Sequence, residues 1–292
     1  PKHQIMRRPE LPAPRPVPIL EAVPTNGKPR KNQAGLNARD LEHFRELLKR
    51  MEDSPVILTL GLNRRYSPLV QTLRDEIDGA VDYVEYMITE AFLPADHWTL
   101  DPIEGGGRLV SEGEHFIDLC NLLIGKRPTS VVGRALGDTP EDLRTLCNFA
   151  VNLQYEGAVA NIVFNESGAA QIPRERLVVL ARGQVATLDD FGKLTVHGRK
   201  VESHGRGLRK SMGHAEELQQ FVRAIRGEPN NLLTWEEASL ATLCMFAAQE
   251  SIRTGAAIHL QEFRQGLMTD APRADQAEEP DPESEPAPVD LE

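Results

Sequence analysis

No stretch of this chain approaches the ~18 consecutive apolar residues that a membrane span needs, and none of the expected contacts is a membrane. Basic patches interleaved with aromatics are also missing, which argues against a nucleic-acid partner. The N-terminus has no apolar core of the signal-peptide kind. There are only three cysteines, Cys120, Cys147 and Cys244, without CxxC spacing and each in apolar surroundings. Buried free thiols in a reducing compartment, the cytoplasm, are therefore expected. No GxGxxG occurs: Gly105 and Gly107 would need a glycine where Val110 stands, and Gly205 and Gly207 one where Lys210 stands. Walker loop, HExxH, GxSxG and EF-hand patterns are absent too, and the eight histidines have no metal-ligand spacing, so no metal site is expected.

What remains is a globular balance, 40% apolar and 26% charged over 292 residues. The formal charge of −11 is mostly a tail property, because residues 270–292 carry nine acids and one arginine. That tail, with five prolines and little to bury, is expected to be disordered. Residues 1–34 hold eight prolines and show no periodicity, which suggests an extended or disordered lead-in. A single ordered domain is expected over about 35–262, with the acidic tail running from 263 to 292.

Within it, LNARDLEHFRELLKRM traces a helix with Asn37 as N-cap and Leu36 and Leu41 placed as a hydrophobic staple. PVILTLGL predicts a buried strand, NRRYSPLVQTLRDEI a loop and helix, and DYVEYMITEAF a half-buried strand. In DPIEGGGRLVSEGEHFIDL, three glycines precede a helix read as starting near Glu114. Such a run is expected where φ is positive or something approaches the backbone closely, and a free helix N-terminus there would favour anions. FAVNLQYEGAVANIVFNES and RLVVLARGQVATLDDFGKLTVHGRKVES predict hairpins turning at Glu156-Gly157, Gly183, Gly192 and Gly198. HAEELQQFVRAIRG and TWEEASLATLCMFAAQESIRTG predict closing helices, the second with a Thr234/Glu237 capping box and Gly255 at its end. Strand runs flanked by helices, without βαβ alternation, indicate an α+β fold in which an antiparallel meander has one sheet face covered by helices.

Among the titratable residues, His115 shares a helical stripe with Leu119 and Leu122. It is either a core histidine or a general acid/base, with Glu112 and Asp118 within a turn of it. Arg64, Arg65 and Arg108 have forks suited to carboxylate or phosphate, or are solvated. His97 and Trp98 could wall a sugar ring or sit in core, and Lys28 is either catalytic or one of several basic residues in the lead-in.

The segments GLNRRYSPLV, FLPADHWTLDPIEGGGRLVSEGEHFIDL and GHAEELQQFVRAIRGE with TWEEASLATLCMFAAQESIRTG resemble, in order and spacing, the C-terminal domain of the glucose-fructose oxidoreductase/inositol dehydrogenase family (Gfo/Idh/MocA), and most nearly its polysaccharide-biosynthesis branch. The resemblance runs from about Leu36 to Leu260. It implies an NAD(P)-dependent oxidoreductase acting on a sugar, nucleotide sugar or cyclitol, in which a Rossmann domain, absent or vestigial here, precedes a large, mostly antiparallel open sheet, helices on one face, that holds substrate and mediates homodimer or tetramer contacts. It places the catalytic histidine at His115 and the family lysine at Lys28, with Arg64, Trp98, Arg108 and Glu112 around the substrate. The family's Glu-Lys-Pro reads Gly27-Lys28-Pro29 here, and the acid four residues ahead of the histidine is Ser111. The chain thus reads as a substrate-binding domain, truncated and without a cradle of its own for NAD or NADP. The alternative is a non-catalytic oligomerisation or ligand-binding module.

Overall fold

The computed structural model describes residues 38–269, except 53, 95, 102, 103, 138–142, 167, 169–171, 199, 200 and 205–209. The expectations for the lead-in, for Leu36 and Asn37, for Lys28 and for the acidic tail from 270 onward lie outside the described residues, whereas residues 263–268, expected in that tail, belong to a helix that runs Leu260–Met268.

Nine strands form one sheet in the order β8-β7-β6-β5-β1-β4-β3-β2-β9. In chain order they are β1 (Tyr83–Thr89), β2 (Ser130–Ala135), β3 (Phe149–Tyr155), β4 (Ala158–Asn165), β5 (Glu175–Ala181), β6 (Gln184–Asp189), β7 (Lys193–His197), β8 (Val201–His204) and the short β9 (Ile258–His259). Every neighbouring pair is antiparallel except β1 and β4, which run parallel with Tyr83 opposite Val159. This is the mostly antiparallel open sheet of the α+β expectation.

The period-2 alternation sorts the side chains onto two faces. Val84, Tyr86 and Ile88, Phe149 to Tyr155 at every second residue, Ala158 to Phe164 likewise, and Leu177, Val179 and Ala181 are buried on one face. The helices α3 (Gly107–Ile124) and α5 (Trp235–Thr254) close that face. Phe116 of α3 stands edge-on to Tyr86 at 5.4 Å and lies 5.9 Å from Phe164. The helix α5 crosses β2 so closely that a Cβ on Gly133 would stand 2.4 Å from the Ala248 carbonyl oxygen. Ser251 Oγ accepts the Gly133 N–H at 2.9 Å. On the other face Asn152, Asn161, Val163 and Thr187 are only half-buried.

Turn chemistry follows the glycines in part. Arg182 and Gly183 both have positive φ, the geometry of a two-residue type I′ hairpin. The next turn departs from expectation: Asp190 and Phe191, not Gly192, take the left-handed conformation. The tertiary setting holds them there, since Phe191 is buried and Asp190 Oδ1 accepts the Glu175 N–H at 3.1 Å. The capping box of α5 is present in both directions, and Gly255 ends the helix in the left-handed region.

Two expectations require correction. PVILTLGL is not a strand: residues 55–62 are irregular, and Val56 and Ile57 are 52% and 46% exposed. A strand exists only beside another, and among the described residues nothing pairs with this one; Thr59 Oγ1 is instead bonded to the Leu233 carbonyl oxygen at 3.0 Å. The second correction concerns α3, which starts at Gly107, seven residues before Glu114.

The remaining helices are α1 (Ala38–Met51), α2 (Pro68–Glu76), α4 (His214–Ile225) and α6 (Leu260–Met268). No helix among the described residues is long and apolar enough to cross a membrane.

Candidate functional site

The glycines at 105–107 are explained by what approaches them. A Cβ on Gly105 would lie 2.4 Å from both Thr99 Cα and the Trp98 carbonyl oxygen, so a 3-10 turn, Trp98–Leu100, packs directly on this backbone. Gly106 and Gly107 have φ of 68° and 77°, which turn the chain into α3. The first N–H groups of the helix are not all free for an anion, because the Leu146 carbonyl oxygen accepts from Arg108 N at 2.9 Å.

From this start, Arg108, Ser111, Glu112 and His115 fall on one stripe of α3 by the i, i+3, i+4, i+7 rule. The stripe meets one end of the sheet, where β1 and β4 finish and β5 begins. A lattice of charges lies there, buried at Arg64, Arg108, Glu166 and Glu175 and half-buried at Glu90, Glu112 and Arg174. Arg64, on the 3-10 turn Asn63–Tyr66, forks onto Glu175 with both contacts at 2.9 Å, and its guanidinium lies 4.9 Å from the Phe116 ring centre. The Tyr86 hydroxyl donates to the same carboxylate. Arg108 reaches Glu166 at 3.0 Å and also pairs with Glu112. Arg174 joins the halves, bonding Glu112 at 2.9 Å, Glu175 at 2.8 Å and also Glu90.

Burial acts to raise the Glu175 carboxyl, but the hydrogen-bonded Arg64, with Tyr86 and Arg174, overrides it and holds Glu175 below the usual carboxylate range. Burial also pushes the Tyr86 phenol well up, so it stays a donor.

His115 is half-buried, and its Nδ1 and Ser111 Oγ are buried side-chain atoms without a hydrogen-bond partner among the described residues. Burial, then the Arg64 charge, brings the imidazole down to about 3, with Glu175 opposing and His214 and Arg174 adding to the fall. The ring is therefore neutral at physiological pH, and the same burial and Arg64 charge that keep it neutral disfavour its imidazolium form. Because the folded value is below the ordinary 6.5, the unfolded chain binds the extra proton first, so stability is fully present above about 6.5 and is lost as pH falls toward about 3. A chain carrying His115→Gln is expected to lose less thermal stability than the parent between pH 7 and pH 4. Equal losses in scanning calorimetry would contradict this protonation assignment.

The structure thus joins Arg64, Arg108, Glu112 and His115 in one cluster. Trp98 stands outside the ion-pair network, on the turn packed against Gly105, with 57% of its surface exposed and its ring 5.8 Å from His97. Arg65 turns away from the cluster, to Asp118 at 2.9 and 3.0 Å and to Glu237 at 3.2 Å. It lines a cleft of about 400 Å³ between α2, α3 and α5 and one of about 660 Å³ that reaches α4 and residues 230–232. Lys28 lies outside the described residues.

Glu90, Glu166, Arg174, Glu175 and Tyr86 were missed by sequence reasoning. A signal existed for the carboxylates. Glu90 and Glu166 each continue a buried alternating row, 84-86-88 and 160-162-164, by one more step, and Glu175 begins the row 177-179-181. An acid at an inward register position needs a buried partner.

Among the described residues, no group of three or more His, Cys, Asp or Glu side chains could hold a metal ion. A dinucleotide does not fit them either: the only glycine run beside a helix start is packed on its own 3-10 turn, and no glycine-rich strand-to-helix turn is present.

Comparison with known proteins bears on the fold. Residues 73–260 match the model of the Gfo/Idh/MocA oxidoreductase family, C-terminal alpha/beta domain. Inositol 2-dehydrogenase of Rhizobium meliloti (strain 1021) is 26% identical over 208 residues, which are 64% of this chain and 60% of that protein. The chain therefore spans less than two thirds of the relative's length. Among solved structures, UDP-N-acetylglucosamine 3-dehydrogenase from Acidithiobacillus ferrooxidans superposes with a TM-score of 0.61 at 21% identity, over 74% of this chain and 67% of its own. Levoglucosan dehydrogenase, in complex with NADH and levoglucosan, gives 0.65 at 14% identity over 75% and 70%. At these identities the superpositions speak for the fold.

Proposed function

The chain belongs to the Gfo/Idh/MocA oxidoreductase family, and from that membership we propose that it is the substrate-binding domain of an NAD(P)-dependent oxidoreductase acting on a sugar or cyclitol. The observation that carries the reading is His115, a neutral imidazole whose Nδ1 has no partner among the described residues, beside a largely buried lattice of arginines and glutamates. Relatives named for inositol, levoglucosan and a nucleotide sugar support a polyhydroxylated substrate. In this proposal His115 takes the proton from the hydroxyl being oxidised, and Arg64 and Glu175 fix the ring's surroundings. The described residues supply no cradle for the dinucleotide, so no step is assigned to it.

The half-buried sheet face, with Val163, Val178 and Leu180 alternating with polar Asn152 and Asn161, supports self-association through the sheet. The same face supports a second reading, a ligand-binding or assembly module without turnover. Both share the sugar site, and a single experiment tests it. The His115 ring signals are expected to shift saturably when myo-inositol, levoglucosan or glucose is added to the chain. A panel of sugars and cyclitols that leaves them unmoved overturns the site. In a preparation competent for turnover, His115→Ala should lower kcat by about 10²–10⁴-fold with little change in KM. Unchanged kcat would reject the base role, and a wild-type chain that binds sugar without turnover would favour the module.

A further inference from the structure

The cleft of about 400 Å³ between α2, α3 and α5 shares no residue with the lattice around His115. Four cations, Arg65, Arg74, Lys126 and Arg127, and three acids, Asp118, Glu236 and Glu237, line it. They are unevenly paired. Arg65 is buried and holds Asp118 at 2.9 Å and Glu237 at 3.2 Å, so neither carboxylate is free to reach across the cleft. Arg127 pairs with Glu236, but the two side chains are 54% and 71% exposed, and a pair that open to water is readily exchanged.

Arg74 and Lys126 have no carboxylate partner among the described residues. Arg74 Nη1 donates to the Gln71 side-chain oxygen at 3.4 Å, and Lys126 Nζ to the Glu156 carbonyl oxygen at 2.6 Å. An ammonium carries three N–H groups and a guanidinium five, so most of their donors are left over. Asn121 adds to the surplus: its side-chain oxygen accepts from the Tyr155 hydroxyl at 2.8 Å, and its amide N–H groups have no partner among the described residues. Each carboxylate lining the cleft, by contrast, already accepts from an arginine. The cleft therefore offers donors and net positive charge, between walls that include the apolar Leu122 and Leu240 and so strengthen the field inside it.

We propose that this cleft binds a small dianion, a phosphate monoester or a dicarboxylate, between Arg74 and Lys126, with Arg127 exchanging Glu236 for the ligand. Two negative charges match the two cations that lack a carboxylate, and paired oxygens suit the guanidinium fork. The site is separate from that of His115 and does not rest on the function proposed for it.

The test titrates the chain itself with inorganic phosphate and with succinate, the ionic strength being held at about 0.15 M with chloride, and follows NMR shifts and heats of binding. Saturable binding with a Kd of about 1 mM or tighter is expected, with shifts at Asn121, Gly125 and Lys126 and none at His115. Binding of either anion supports the site, and the tighter of the two names the ligand class. Arg74→Gln and Lys126→Gln are each expected to weaken it by about threefold to tenfold, and the double replacement to remove it. Both residues are exposed, so these variants should melt as the parent does. Arg223→Gln, on an exposed arginine of α4 outside the cleft, should leave binding unchanged. Shifts that never saturate, or that Arg223→Gln reduces as much as Arg74→Gln, would show screening alone and overturn the proposal. Shifts confined to His115 would put the anion at the other site and overturn it too. Loss of this cleft leaves the sugar reading of His115 untouched.

Discussion

Glu175→Ala is expected to cost about 3–5 kcal/mol of folding stability, because it leaves Arg64 buried and uncompensated. Both side chains are almost wholly inaccessible, the fork is made by two contacts of 2.9 Å, and Tyr86 and Arg174 converge on the same carboxylate. The guanidinium cannot escape by shedding its proton, because an arginine stays charged even without its partner; in the parent, burial lowers its pKa but Glu175 more than offsets that and holds it above the ordinary range. Chemical denaturation midpoints for the parent, Glu175→Ala and the double replacement Arg64→Met with Glu175→Leu would separate the two sources of the loss. The double variant should recover much of it, because exchanging a whole buried pair for apolar groups is often close to neutral. A Glu175→Ala loss below about 1 kcal/mol would mean that the pair is hydrated, and the charge lattice would no longer explain the neutrality of His115.

Gly213→Ala is expected to be nearly as damaging, for a different reason. Gly213 has φ of +92°, and a Cβ there would stand 2.3 Å from the Asn63 carbonyl oxygen and 2.6 Å from Ser67 N. Those are backbone atoms of the turn that carries Arg64, and the two segments are stitched together by Asn63 Nδ2 donating to the Met212 carbonyl oxygen and Ser67 Oγ to that of Ser211, both at 2.8 Å. Neither side can yield locally, so about 2–4 kcal/mol is expected from clash added to strain, together with displaced Arg64 and weakened sugar binding. Gly255→Ala is the control: its φ is +73° but nothing lies within 4 Å of the added Cβ, so it should cost only about 1 kcal/mol. Equal thermal shifts for the two variants would show that the turn accommodates the methyl group and that φ alone sets the cost.

The sequence made much of the architecture legible. Alternation in residues 149–165 and 175–197 specified the hairpins, Thr234 with Glu237 specified the start of α5, and the stripe through His115 specified the face of α3. These features depend on neighbours a few residues away, so local propensity and periodicity suffice. PVILTLGL had the right pattern and formed no strand, because a pattern states what a segment could bury and not whether a neighbour is there to bury it.

The site divides along the same line. Sequence alone determined that His115 is presented on a helix that follows a glycine turn, and that Arg64 and Arg108 are available as forks. Only the tertiary structure decided what those forks hold. Glu166 lies 58 residues from Arg108 and Glu175 lies 111 residues from Arg64. No local rule pairs charges over such separations, whereas folding the sheet brings the ends of β1, β4 and β5 against α3 and leaves each inward-facing acid with a cation as its compensation.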